Sequence, residues 1–355
     1  MKVSVIKERY ISEKRIAIYP AVAKKIVNLG LELCLERGIG NNLYIDDQEF
    51  TRAGAYMSSV PLEILADTNI LLKVRFSDDN IHNELNELNL LPEGAIIIGL
   101  LDPYNNRHIL EHLAERNITS FSLELVPNIM RAQPVNAVVM QAGLAGYRAM
   151  LETIYFREKV VNLMITAVGT LLPLKILIIG ANPAGLQAIT VAKRLGAIVC
   201  VSDASKKREL VESLGVEFID AVSDIADYDI ILCTMNIFNQ DTKIILTEKM
   251  VSSMKPGSVI GDFMGKNGGN CILTQKDQVI NYCGVKIIGY SDIIHRMAYD
   301  ASKLYADSLL HFISLIYNNV TKDIEVNYAD EIINNTLSTY KGQIVNKKLK
   351  QIYYG

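Results

Sequence analysis

The segment Lys175–Ala188, KILIIGANPAGLQA, decides how the chain is read. Its opening KILII is a short apolar run of the kind that forms a buried strand. Gly180 then makes a tight turn, and Pro183 stands at the first turn of a helix, where a missing N–H costs little. Dinucleotide-binding turns follow G-x-G-x-x-G: the first Gly makes the turn, the second admits the pyrophosphate, and the third lets helix pack on strand. Gly180 and Gly185 supply the first and third, and Asn182 holds the middle place. After Gly, Asn best tolerates positive φ, although its side chain crowds a phosphate. The helix start offers unpaired N–H groups and a favourable dipole to that anion. The next strand, Ile198–Ser202, runs into Asp203, about twenty residues beyond the turn, where a carboxylate binds the ribose diol of NAD and disfavours the 2′-phosphate of NADP. Lys206, Lys207 and Arg208 follow closely and offer that phosphate an alternative place. The expected NAD(H) contacts are Gly180, Asn182, Ala184, Gly185, Asp203 and Thr234, at the ends of these strands. The competing reading is a domain that keeps the fold and binds nothing.

Working outward, the strand–helix alternation continues through Glu217–Ile219, Ile230–Thr234, Ser258–Asp262 and Val285–Ile288, six strands in all and enough for a complete dinucleotide fold. Upstream, Lys2–Ile6, Glu32–Glu36, Ile70–Val74, Ala95–Gly99 and Thr119–Ser122 read as strands, with helices such as Ala21–Leu29 and Asn106–Glu115 between them. Strands separated by helices imply a parallel sheet, because each crossover must return across a face. A long helix over Val135–Phe156 bridges the two patterns, and a second over Ala301–Tyr317 leads to a tail with a short strand-like pair around Gly342. Two such helices suggest that the chain leaves the first domain and returns to it. The expected fold is α/β, two Rossmann-like doubly wound domains, the first discontinuous and closed by the C-terminal segment. The boundaries expected are 1–137 with 309–355 for the first domain and 138–308 for the NAD(H)-binding one. A homodimer built on the helices around Gly146 and Leu309 is the expected assembly.

Composition narrows the function. Half of the 355 residues are apolar and 21% are charged, which suits two buried cores and excludes disorder. A net charge of -3 with scattered Lys and Arg gives no basic field, so nucleic acid is excluded as a partner. Five widely spaced cysteines, Cys34, Cys200, Cys233, Cys271 and Cys283, read as reduced thiols, and no metal site is expected. With no signal-like N-terminus and no run of about 18 apolar residues, a cytoplasmic protein without direct membrane insertion is expected.

Several stretches carry a family resemblance: KERYISEKRIAIYP (Lys7–Pro20), ELVPNIMRAQ (Glu124–Gln133), QAGLAGYRAM (Gln141–Met150), GANPAGLQAITVAKRLG (Gly180–Gly196), MVSSMKPGSVIGD (Met250–Asp262), GGNC (Gly268–Cys271), DASKLYADSLLHFI (Asp300–Ile313) and GQIV (Gly342–Val345). Together they resemble the NAD(H)-binding alpha subunit of proton-translocating transhydrogenase, whose relative is alanine dehydrogenase. The resemblance implies hydride transfer from NADH to NADP on a separate NADP-binding subunit, coupled through a membrane-embedded subunit, with the chain peripheral on the inner face of the membrane. It places nicotinamide contacts at Asn128, Gln133 and Asn136, where the family has Arg, Gln and Asp. Arg131 reads either as a substitute for the lost Arg or as a solvated loop charge. A mobile loop that the family carries before the strand Ile230–Thr234 is replaced by the short Ser223–Asp229. An amino-acid dehydrogenase would use Arg15 and Lys73 on its substrate, but Gly99 stands where the catalytic His belongs and Lys266 where the Asp belongs. His108 and His295 are possible replacements, and Arg15 and Lys73 read equally well as structural partners of Glu8 and Asp67.

Overall fold

The computed structural model describes residues 1–76, 86–203, 207–234, 244–263 and 269–355; Lys206, Lys266 and Gly268, singled out above, lie outside them. The chain divides by contacts into two units, Met1–Met140 with Ala298–Gly355, and Gln141–Met297. The sequence pattern divides the second long helix at 308/309. The contacts place all of Ala298–Ile316 with the first unit, because its Ala301, Tyr305, Leu309 and Phe312 are buried there.

The first unit contains β1 (Lys2–Val5), β2 (Glu32–Glu36), β3 (Tyr56–Ser58), β4 (Ile70–Leu72), β5 (Ile96–Gly99) and β6 (Thr119–Ser122), all paired in parallel. Their spatial order is β3-β2-β1-β4-β5-β6, the doubly wound arrangement. The second unit contains the hairpin β7 (Met164–Thr166) and β8 (Gly169–Leu171), then β9 (Lys175–Ile179), β10 (Ile198–Ser202), β11 (Glu217–Phe218), β12 (Ile230–Cys233), β13 (Val259–Asp262), β14 (Val279–Tyr282) and β15 (Val285–Ile288). Its sheet runs β11-β10-β9-β12-β13-β15-β14, the same winding with an antiparallel edge strand added. Back in the first unit, β16 (Tyr317–Asn318) pairs with β17 (Asp323–Ile324), and β18 (Leu337–Tyr340) with β19 (Gln343–Ile344) extends the large sheet antiparallel to β6.

Both sheets are buried on two faces, so their strands read as continuous apolar runs rather than alternating ones. In the first, Ile70 and Leu72 enter one core and Leu71 the other. In the second, Ile176 and Ile178 face one way, Leu177 and Ile179 the other. The helices expected to form a dimer surface are used internally. Leu309 is fully buried in the first core. Gly146 lies so near the start of helix Pro183–Arg194 that a Cβ there would fall 1.9 Å from the Ala184 carbonyl oxygen.

Candidate functional site

At the carboxyl end of β9 the chain turns through Gly180, whose φ of +112° is open to Gly at little cost. Its N–H bonds to Ser202 O at 2.8 Å, tying the turn to β10. Gly185 lies in the first turn of helix Pro183–Arg194, and a Cβ on it would meet Gly180 O at 1.9 Å and Thr234 Oγ1 at 2.9 Å. These are the two glycine roles that the sequence pattern requires, the turn and the close helix–strand approach.

Asn182 behaves differently from the expectation of positive φ. Its φ is -77° and ψ 175°, extended backbone, and it is the N-cap of the helix. Its Oδ1 accepts from Gly185 N at 3.0 Å, and its Nδ2 donates to Thr234 O, at the end of β12. An N-cap needs a short side-chain acceptor in extended backbone, which Asn supplies as well as Asp or Ser. Thr234 completes the clasp: its hydroxyl donates to Gly180 O at 3.0 Å and Ile179 O at 3.1 Å. The orphan N–H groups expected at the helix start are therefore fewer than four. Pro183 has none, Gly185 is capped, and Leu186 N bonds to Asn182 O at 2.9 Å. Among the described residues the Ala184 N–H has no partner.

Asp203 stands where the ribose carboxylate is expected, and its Oδ2 accepts from Ala181 N at 2.5 Å, which aims it over the turn. Lys207 reaches the same turn, with Nζ 3.2 Å from Ala181 O. Arg208 points elsewhere, held by Asp220 at 2.6 Å and Glu212 at 3.2 Å and stacked on Phe218. The short connection before β12 is pinned at Asp229, which accepts from Lys175 N at 3.0 Å and Arg157 at 2.8 Å. A dinucleotide fits this end of the sheet: a turn that admits close approach, a free helix-start N–H and an oriented carboxylate.

The first unit has the same winding but a different turn. After β1 come Ile6, Lys7, Glu8 and Arg9, without glycine. The Glu8 carboxylate fills the equivalent crevice, accepting from Val74 N at 2.7 Å and Arg75 N at 3.3 Å. Lys73, fully buried, pairs with Glu8 at 3.6 Å. Arg15 pairs with Glu13 through two bonds of 2.8 and 2.7 Å, both side chains buried. The reading of Lys73 with Glu8 as a pair thus matches this geometry, while Asp67 joins Lys2 instead and Arg15 takes Glu13. Two residues that sequence reasoning missed complete the cluster. Tyr305, fully buried, donates to Lys73 O at 2.8 Å and accepts from Leu100 N at 3.1 Å. Glu124, just past β6, accepts from Leu101 N at 3.2 Å and Asp102 N at 2.6 Å, and burial pushes its carboxyl up to about 7. A hint existed in Glu124 opening the run ELVPNIMRAQ directly after a strand.

The nicotinamide candidates all lie in the first unit. Asn128 and Gln133 are exposed, and Asn136 accepts from Val139 N at 3.1 Å, capping the helix Ala137–Phe156. Arg131 is clamped to Asp330 by two bonds of 2.8 and 3.0 Å, and Asp330 also caps the helix Glu331–Thr336. His108 is exposed in the first unit and His295 buried in the second. Four cysteines are buried and Cys283 is exposed; among the described residues no cluster of His, Cys, Asp and Glu is placed to hold a metal, and no helix is long and apolar enough to cross a membrane.

Comparison with known proteins agrees with this geometry. Residues 4–145 match the model of the alanine dehydrogenase/PNT N-terminal domain, and residues 149–347 that of the alanine dehydrogenase/PNT C-terminal domain. The chain is 36% identical to the NAD(P) transhydrogenase subunit alpha of Rickettsia prowazekii, over 99% of this chain and 98% of that one. It superposes on the crystal structure of transhydrogenase from Sinorhizobium meliloti with a TM-score of 0.87 and 34% identity, covering 97% of this chain and all of that one. An L-alanine dehydrogenase structure, at 20% identity and a TM-score of 0.84 over 100% of this chain and 99% of that one, shares the fold.

Proposed function

The chain belongs to the alanine dehydrogenase/PNT family of oxidoreductases, and from that premise we propose that it is the NAD(H)-binding alpha subunit of a transhydrogenase, giving hydride from NADH to NADP on a partner subunit. A membrane-embedded subunit would complete the complex and hold this chain peripherally. Bound NADH supplies the hydride. The chain's own residues bind and orient: Gly180 and Gly185 let the pyrophosphate approach, the Ala184 N–H meets it, and Asp203 takes the ribose hydroxyls. No general acid or base is needed for hydride transfer, so the work left to the protein is positioning.

The observation that carries this reading is the Asp203 carboxylate held at 2.5 Å on the Ala181 N–H, at the end of β10. A 2′-phosphate would meet that negative charge, so NADH should bind in preference to NADPH. Asp203→Ala should weaken NADH by about 1 to 3 kcal/mol through loss of charged hydrogen bonds. Because Lys207 remains beside the turn, the same change should narrow the preference against NADPH. Calorimetric titration of both nucleotides into both proteins measures this. Equal or tighter NADPH binding by the unaltered chain would sink the assignment.

The geometry speaks against an amino-acid dehydrogenase. The cations that would receive a substrate carboxylate, Arg15 and Lys73, already face the internal carboxylates of Glu13 and Glu8. A ligand would have to displace a buried charge pair and leave an unmatched carboxylate behind. With NAD and L-alanine the chain should therefore produce no NADH; turnover of about 1 per second or more, an ordinary enzyme rate, would contradict this.

A further inference from the structure

The second unit carries an arm that nothing in its own fold covers. From Val160 to Leu174 the sequence VVNLMITAVGTLLPL has no charged residue. It folds into the β7–β8 hairpin, with Met164 opposite Leu171 and Thr166 opposite Gly169, closed at the tip by Thr166 Oγ1 donating to Gly169 O at 2.8 Å and at the base by Leu174 N on Val161 O. All six strand residues are exposed, so both faces of the ribbon are open. Ile165 is 76% and Val168 98% exposed, and Leu163, Met164, Leu171 and Leu172 are exposed as well. A bare two-stranded ribbon is marginal in water, and an uncharged edge invites another strand.

From this we propose that the arm is the self-association surface of the protein, and that its occupant is a second copy of the same chain. Three observations favour that occupant. A strand edge paired antiparallel with its own copy is related by a two-fold axis, which closes after two chains. The exposed apolar side chains, with the surfaces that receive them on both copies, bury about 1,000 to 2,000 Å², the size of a stable pair. A bilayer is a poor alternative because the arm lacks a basic fringe: Arg157 and Lys159 at its base are engaged by Asp229 at 2.8 and 3.2 Å. The helices of Gly146 and Leu309 offer no competing surface, since both are packed within the chain.

The test is sedimentation equilibrium of the full chain, unaltered and as the double variant Ile165→Lys with Val168→Asp. The unaltered chain should sediment as two copies at micromolar concentration, and the variant as one, with self-association at least about a hundredfold weaker. Neither position touches the nucleotide site, so NADH titration should be the same for both, which separates failure here from failure of the functional reading. Hydrogen exchange supplies a readout without a variant: amides of 163–172 should be protected at high concentration and exchange freely on dilution. A single-copy unaltered chain at about 50 μM, or a variant that stays paired, would overturn the proposal. So would protection of these amides that appears only on vesicles of phosphatidylglycerol and phosphatidylethanolamine.

Discussion

Gly185→Ala is expected to cost about 3 kcal/mol or more and to abolish measurable NADH binding. The added methyl would lie 1.9 Å from Gly180 O and 2.9 Å from Thr234 Oγ1, and the first of these is backbone that no rotamer change can move. Relief requires the helix Pro183–Arg194 to lift from β9. That breaks the bonds made by Asn182 to Gly185 and Thr234 and moves the Ala184 N–H away from the phosphate position. Overpacking of a well-filled contact ordinarily costs about 1 to 3 kcal/mol, and a backbone collision stands at or above that limit. For a unit of this size the melting temperature should fall by about 6 to 12 °C. Gly146→Ala approaches the same helix from the other side, 1.9 Å from Ala184 O, and should produce a similar loss. Thermal melts with and without NADH measure both; a Gly185→Ala protein that melts and binds as before would show that the turn tolerates a looser packing than described.

The second large effect belongs to Glu124. Burial raises its carboxyl to about 7 from an ordinary 4.5, against the opposing pull of the Leu101 and Asp102 N–H groups. In the unfolded chain the proton leaves near 4.5, whereas in the folded chain it stays until about 7. Between those values the native state binds one more proton, so stability falls as pH rises, by about 3 kcal/mol in all. Glu124→Gln cannot ionise and should lack this slope. It also loses one acceptor for the two N–H groups, so it should be the less stable protein at pH 5 and draw level or better by pH 8. Urea unfolding of both proteins across that range gives the difference, in which other titrating groups cancel. Parallel curves would mean that Glu124 is ionised throughout.

The fold was largely legible because both sheets are buried on two faces, which writes their inner strands as apolar runs: Lys175–Ile179, Ile198–Ser202 and Val285–Ile288 end at the residues the pattern indicated. The strands it did not indicate lack that burial. β14 is an edge strand with an open face, and β7 and β8 have no packed face at all. At the site, Gly180, Gly185 and Asp203 were readable because backbone geometry demands particular residue types at fixed spacing. Asn182 was not, since positive φ and an N-cap both favour Asn and only the coordinates separate them. Pairs such as Arg131 with Asp330, 199 residues apart, and Glu124 beneath the Leu101–Asp102 turn depend on tertiary placement that no local pattern records.

The closing of the first sheet by β18 also has a consequence for biosynthesis. Ser122 on β6 meets Ser338 on β18 at 2.7 Å across 216 positions of sequence, and the core behind it waits for Tyr305, Leu309 and Phe312. A ribosome adding about 5 to 20 residues per second needs about 10 to 40 s to make that interval. During it, Gln141–Met297 emerges whole and has everything its sheet requires, while the strands translated before it hold an open edge and an unfilled core. The nucleotide-binding half is thus the first that can become native on the ribosome, and the earlier-translated half is the natural client for a holding chaperone.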